Sequence, residues 1–382
     1  MRYYIIAGEA SGDLHGSNLM KGLFEKDPEA DVRFWGGDMM NSVYQENRPG
    51  KTAMVKDYNE TAIMGFKEVL LKARTISANL KLCKQDIMDW KPDAVILIDY
   101  PGFNLKIAEF AHNNGFKVFW YIAPKVWASR EGRIRKIKQF VDKLFIVFPF
   151  EREYFDRKHV PYVYCGNPLV DAVDRGAGEA APQEAGGKPY IAMLAGSRRG
   201  EVRSMMPVFK DFADRLTATP GYEDYRFIIA GAPSRTMEDY APWTGLDSKL
   251  QVVFGHTQNI VRHARAAVVN SGTASLETAI IGTPQVVVYA TSAINAAIAK
   301  KIIKIEFVSL GNLIAGRRVF KELLQWFFTA DNLTAEVIRL TSDTDYIEAM
   351  KAGYSEIRSL LGGGGASSAV ASAIIKELSI KR

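Results

Sequence analysis

The sequence predicts an α/β protein of two Rossmann-like, doubly wound lobes facing a central cleft. Three observations carry this. Short runs of apolar, β-prone residues recur along the chain, and they lack strict alternation, as expected of parallel strands covered by helices on both faces. Longer stretches with three- to four-residue apolar spacing separate them. Midway the composition shifts, and then the same alternation restarts.

In order, the first half offers strands near Tyr3–Ala7, Val32–Trp35, Ala94–Ile98, Val118–Tyr121, Leu144–Val147 and Tyr162–Tyr164. The clearest helix runs from Phe66 to Trp90, with Phe66, Val69, Leu70, Ala73, Ile76, Leu80, Cys83, Ile87 and Trp90 along one stripe. Residues 171–189, DAVDRGAGEAAPQEAGGKP, read as a linker rich in Gly, Ala, Pro and acid. Beyond it Tyr190–Leu194, Phe227–Ala230, Gln251–Phe254, Ala266–Val269 and Gln285–Val288 read as strands. From about Ile294 the pattern is mostly helical, and glycines 362–365 precede a last helix, Ala366–Leu378. The expected domains are residues 1–170, joined by about 345–382, and residues 190–344.

Composition narrows the function. The 382 residues, 47% hydrophobic and 24% charged, are enough for a large core and exclude a disordered or disulfide-stapled chain. The net charge of +6 favours anionic partners such as nucleotides, phosphates or acidic lipid. The basic residues are scattered rather than striped, so nucleic acid is not expected. Cys83 and Cys165 read as free thiols, without zinc spacing, and the five histidines form no pair at helical spacing. The first apolar run, Tyr3–Ala7, is too short for a secretory leader. No apolar run approaches the ~20 residues of a membrane-spanning helix.

The turns that leave predicted strands carry the candidate chemistry. After the first strand comes AGEASGDLHG, Ala7–Gly16, a tight strand-to-helix turn that is neither a P-loop nor GxGxxG. Glu9 projects from it and suits hydroxyl recognition or base work, with Ser11 beside it; the alternative is that Ser11 or Asp13 caps the helix. In LIDYPGFNL, Asp99 ends an apolar strand, where burial would raise its pKa toward that of a working base. The alternative is an Asp that opens a Pro-Gly turn. In LAGSRRGE, Ser197, Arg198 and Arg199 stand at a helix start, a diphosphate clamp or a solvated basic turn. In NSGTASLE, Ser271, Gly272 and Thr273 open a helix and suit a phosphate, while Glu277 suits a ribose diol or is solvated.

Other features are weaker. The metal-like Asp343-Thr-Asp345 precedes a helical stretch and reads as a cap. His15 reads as a solvated helix-surface histidine. Basic residues mix with apolar ones at Arg130, Arg133, Arg135, Lys136 and Lys138, and again at Lys300, Lys301 and Lys304. Such elements suit an anionic membrane surface or are core helices with a basic face.

Together, AGEASGDLHG, AIMGFKEVL, IDYPGFNL, YIAPKVWASREGR, FPFEREYF, GNPLVD, AGSRRGE, SGTASLE and SLGNLIAGRRVFKELLQ resemble, in matching order, the lipid A disaccharide synthases. Ala195 stands where that family usually has Pro, and Asn167 where it usually has His. The resemblance implies an inverting glycosyltransferase of GT-B architecture. The implied substrates are UDP-2,3-diacylglucosamine and 2,3-diacylglucosamine 1-phosphate, giving the β-1,6 tetraacyl disaccharide 1-phosphate and UDP. It implies no metal or other cofactor, and peripheral attachment to the cytoplasmic face of the inner membrane; the sequence leaves open whether the chain is a homodimer. The expected base is Asp99, with Glu9 orienting or assisting, and the sequence leaves open which of the two takes the proton. Arg198, Arg199, Ser197, Ser271, Gly272, Thr273 and Glu277, with Asn312 and Arg317, would form the UDP-sugar site. Ser11 would lie toward the acceptor, and Met64 and Phe66, within Ala62–Leu71, toward its acyl chains, unless that segment is ordinary core. Rivals are another GT-B enzyme, of UDP-N-acetylglucosamine 2-epimerase or peptidoglycan transferase type, and a non-catalytic nucleotide- or lipid-binding protein.

Overall fold

In the computed structural model the described residues are 1–58, 69–127, 130–175, 180–245, 248–290 and 307–380. They form two compact units, Met1–Pro168 with Gly364–Arg382, and Leu169–Gly363.

The first unit holds a parallel sheet of β1 (Arg2–Ala7), β2 (Asp31–Gly36), β3 (Met54–Asp57), β4 (Ala94–Ile98), β5 (Lys117–Tyr121), β6 (Lys143–Ile146) and β7 (Val163–Tyr164). Their spatial order is β3-β2-β1-β4-β5-β6-β7. All five residues of β4 are buried, because helices cover both faces. The chain order reverses between β1 and β4, where Ala7 pairs with Ile98. In open α/β sheets this switch point is where ligands bind, beyond the carboxyl ends of the strands.

The second unit repeats the plan with β8 (Tyr190–Leu194), β9 (Arg226–Gly231), β10 (Leu250–Phe254), β11 (Ala266–Asn270), β12 (Gln285–Tyr289) and β13 (Glu322–Leu324), ordered β10-β9-β8-β11-β12-β13. Its switch point lies between β8 and β11, where Leu194 pairs with Val269.

Three features differ from the sequence reading. The edge strands β3 and β13 are short and carry Lys56, Asp57 and Glu322, so they give no apolar run. The expected linker begins in a helix, Pro168–Arg175, and includes a 3-10 turn at Gln183–Ala185. The return to the first unit comes at Gly364 rather than about 345. Helix Thr344–Leu361 belongs to the second unit: Tyr354 donates to the Thr283 carbonyl at 3.1 Å, and Gly353 admits Val319 where a Cβ would fall 2.4 Å from Cγ1. Only the last helix, Ala366–Ser379, packs in the first unit, crossing helix Ala10–Lys26 at Gly22. Ser367 meets Tyr121 at 3.2 Å there, and Glu377 meets Lys143 at 2.7 Å.

Candidate active site

Glu9 and Asp99 leave neighbouring strands at the first switch point. Asp99 and Tyr100 both adopt left-handed backbone, with φ of 41° and 46°. Non-glycine residues are strained there, and such strain clusters at functional sites. Pro101 disfavours the right-handed helical region for Tyr100 and then starts helix Pro101–Asn113. The Asn104 amide Nδ2 donates to the carbonyls of Asp99 at 2.8 Å and Ile98 at 3.3 Å. Tyr100 stacks on Phe103, with ring centroids 5.5 Å apart.

Burial pushes the Asp99 carboxyl above the usual carboxylate range, and the negative charge of Glu9 adds to the rise. The charges of Lys125 and Arg133 and the Tyr100 amide oppose it. Asp99 and Glu9 therefore share one electrostatic neighbourhood. Lys125, within YIAPKVW, was invisible as a site residue because only the fold brings it to Asp99; Arg133 stood out only as part of a basic run. Glu9 is exposed at the N-cap of helix Ala10–Lys26 and makes no side-chain cap bond; Ser11 is exposed beside it. A small pocket adjoins this turn, lined by Gly8, Trp35, Lys56, Tyr58, Tyr100 and Phe103 among others.

Neither Ser11 nor Asp13 caps its own helix. Asp13 is buried and reaches across to the start of helix Asp38–Asn47, accepting from the amides of Gly37 at 2.8 Å, Met39 at 3.0 Å and Met40 at 3.1 Å. His15 is buried rather than solvated, and burial lowers its pKa to about 4, so it stays neutral. Further along the sheet, Glu151 is fully buried and accepts from the Val147 and Phe148 amides at 3.1 and 3.0 Å and from the Trp127 indole at 3.1 Å. Asn167 donates to the Val147 carbonyl at 2.9 Å, holding the same turn.

At the second switch point, Ser197, Arg198 and Arg199 follow β8, and Ser271, Gly272 and Thr273 follow β11. Gly196 has φ of 97°, and a Cβ there would fall 2.4 Å from Glu201 Oε2, so only glycine fits. Glu201 accepts from the Ser197 and Arg198 amides at 3.0 and 3.2 Å and pairs with the Arg198 guanidinium at 3.0 Å. Arg199 pairs with Asp239 at 2.7 Å. Both arginines remain exposed on the rim. Ser271 donates to the Val308 carbonyl at 3.3 Å. Glu277 is half-buried and accepts from Gln258 at 2.8 Å; burial raises its pKa.

The other donor-site candidates are placed differently. Asn312 is fully buried: Nδ2 donates to the Phe320 carbonyl at 3.0 Å and to Glu322 at 2.9 Å, while Oδ1 accepts from Val319 at 2.8 Å and Phe320 at 3.3 Å. With its amide so committed, Asn312 braces a turn rather than presenting a group to a ligand. Glu322 completes the brace by accepting from the amides of Val308 and Ser309, each at 3.0 Å. Arg317 pairs with Glu356 of helix Thr344–Leu361. Asp343 caps that helix, accepting from the Tyr346 amide at 3.0 Å, as its sequence position suggested. Met64 and Phe66, and the lysines at 300, 301 and 304, lie outside the described residues.

Two parallel sheets of Rossmann order, each with small polar turns at its switch point, define the GT-B fold. The chain is similar over its length to solved members. They include the S. aureus MnaA–UDP complex (TM-score 0.70, 15% identity, 99% of this chain and 97% of that one). A putative UDP-N-acetylglucosamine 2-epimerase from Listeria monocytogenes gives 0.68, with 14% identity over 99% and 96%. The glycotransferase of kitacinnamycin gives 0.63, with 14% identity over 98% of each chain. At such identities the likeness speaks for the fold. Residues 3–373 match the family described as lipid-A-disaccharide synthetase. The lipid-A-disaccharide synthase of Geobacter sulfurreducens is 36% identical over 99% of this chain and 97% of its own, and that of Myxococcus xanthus 35% over the same shares. The chain belongs to the lipid-A-disaccharide synthetase family and is a glycosyltransferase of lipid A biosynthesis.

Proposed function

We propose that the chain transfers 2,3-diacylglucosamine from its UDP form to the 6-hydroxyl of 2,3-diacylglucosamine 1-phosphate. The observation that carries this is Asp99, a carboxylate held at a switch point and pushed upward in pKa by burial and by Glu9. Asp99 takes the hydroxyl proton as that oxygen attacks the anomeric carbon. The bond from that carbon to the diphosphate oxygen breaks on the opposite face, and the electron pair leaves with UDP. One displacement inverts the centre, giving the β-1,6 link. The exposed Glu9 assists by raising the basicity of Asp99.

In the second unit, Arg198, Arg199 and the Ser197 turn, with Ser271, Gly272 and Thr273, receive the diphosphate, whose charge grows in the transition state. Arginines and amides do there what a cation does elsewhere, so no metal is needed. Glu277 accepts from the ribose. The acceptor sugar approaches the Glu9–Asp99 turn beside the small pocket lined by Trp35, Lys56, Tyr58 and Tyr100, and Lys56 supplies a positive charge for its phosphate.

Both substrates carry acyl chains, so the chain works as a peripheral protein on the inner face of the inner membrane. No helix among the described residues is long and apolar enough to cross a membrane. Trp326 and Phe327, 70% and 69% exposed, suit the interfacial region of a bilayer.

The test is incubation with both acylated substrates, with mass spectrometry of the lipid product. A tetraacyl disaccharide 1-phosphate with equimolar UDP is expected, and none from unacylated UDP-glucosamine. UDP binding without disaccharide, or turnover of the unacylated donor alone, overturns the reading.

A further inference from the structure

We propose that Asn104 is a positioning residue for the transfer: its side-chain amide locks the left-handed turn at Asp99 and so fixes the direction in which the carboxylate meets the acceptor hydroxyl. This rests on Asp99 being the base.

The geometry is specific to that task. The carbonyl of Ile98 belongs to the peptide before the Asp99 α-carbon, and the carbonyl of Asp99 to the peptide after it. One Nδ2 group binds both, at 3.3 and 2.8 Å. Holding both peptide planes holds φ and ψ of Asp99 together, and therefore the direction of its side chain. Without that hold, the peptides on both sides of Asp99 can rotate together, which relieves its φ of 41° and turns its side chain to a new direction. Asn104 itself is fixed from below, since its backbone amide donates to the Tyr100 carbonyl at 3.0 Å and its side chain has no exposure. Its Oδ1 is buried and has no hydrogen-bond partner among the described residues. An amide kept in place with an unsatisfied oxygen is kept for its donor.

The experiment compares Asn104→Ala, Asn104→Asp, Asp99→Asn and the double variant Asp99→Asn/Asn104→Ala in the full chain. It follows kcat and KM for both substrates, the pH dependence of kcat, and the thermal midpoint. Asn104→Ala should lower kcat about 10- to 100-fold with KM within about twofold, because misdirection acts on the chemical step. Its acid limb should move, since the surroundings of the Asp99 carboxyl change. Asn104→Asp keeps the volume and, buried against two carbonyls, stays protonated and donates; it should lose less, and it carries the measurement if the alanine variant fails to fold. The double variant should be no slower than Asp99→Asn, because a residue acting only through Asp99 has nothing left to act on. Losses that multiply in the double variant, or a kcat for Asn104→Ala within twofold of wild type, overturn the proposal while leaving Asp99 as base. Near-normal turnover of Asp99→Asn removes the base and the latch together.

Discussion

The ring of Tyr100 rests on the α-carbon of Gly8: a Cβ added to Gly8 would sit 2.4 Å from Tyr100 Cδ1 and 2.5 Å from Cγ. The first βα turn therefore has no side chain at this position because the fourth strand's turn occupies the space. Gly8→Ala must push away a ring that also stacks on Phe103. The expected result is a stability loss of about 1–3 kcal/mol and a lower kcat, since Tyr100 and Asp99 share one strained turn. Urea unfolding and steady-state rates check it; an alanine variant with the wild-type midpoint and rate would show that the ring moves freely.

Asp99 and Glu9 make a pair of predictions with opposite signs. Asp99→Asn should cut turnover about 10²–10⁴-fold with the fold intact. As the proposed base, Asp99 must be ionised to act, so kcat should rise with pH through its pKa, which burial holds above that of a free carboxyl. The negative charge of Glu9 raises that pKa and the positive charge of Lys125 lowers it. Glu9→Gln should therefore move the acid limb of the pH profile to lower pH, and Lys125→Met should move it higher. Shifts in the reverse sense would place the titrating group elsewhere.

Arg198 came from a strand-to-helix turn and Asn312 from the family resemblance, and the structure separates them. Arg198 is exposed at the second switch point, whereas Asn312 is buried with four hydrogen bonds. Arg198→Ala should lower kcat/KM for the UDP donor by about 2–3 kcal/mol in transition-state terms and leave the unfolding midpoint unchanged. Asn312→Ala should instead destabilise the chain by about 1–3 kcal/mol, because Glu322 and the Val319 amide lose buried partners. Equal effects of the two variants on donor kinetics, with no loss of stability in Asn312→Ala, would return Asn312 to the ligand.

What the sequence revealed follows from range. The buried strands were legible because both faces are apolar, and Asp99 because it interrupts such a run at its carboxyl end. The helix cap at Asp343 was legible because it spans three residues. Asp13 was misread because its partners, Gly37 to Met40, lie some two dozen residues away, and a carboxylate in a helix looks the same whether it meets water or a neighbouring helix. Glu322 and Glu151 were missed for the same reason: each serves backbone amides of a turn that has no composition signal. His15 was misplaced because small neighbours, Gly12 and Gly16, let the first turns of helix Ala10–Lys26 pack closely against Ala7, Ile98 and Met40.

The proposed membrane contact has its own test. Trp326 and Phe327 project from a 3-10 turn anchored by Phe328, which is buried and meets Phe209 edge-on at 6.2 Å. Trp326→Ser/Phe327→Ser removes apolar area from a surface that already faces water, so the fold should not weaken. Sedimentation with vesicles of anionic phospholipid should fall by about tenfold or more, if the two rings enter the interface. Unchanged vesicle binding would exclude the two rings from the proposed contact.

Glu151 gives the chain a pH-dependent weakness. Burial raises its pKa to about 7, against the opposing hydrogen bonds from Phe148, Val147 and Trp127 and the charge of Lys125. A carboxyl whose folded pKa lies above its unfolded value of 4.5 binds its proton more tightly when folded. Its contribution is complete below pH 4.5 and is lost as pH rises to about 7. Over that window the folded state should lose on the order of 3 kcal/mol relative to Glu151→Gln, which keeps an acceptor for the turn and cannot titrate. Denaturant unfolding of both proteins at several pH values between these limits measures the difference. If the wild type instead gains on the glutamine variant as pH rises, Glu151 is ionised throughout, and its carboxylate is held by the Val147 and Phe148 amides strongly enough to offset burial.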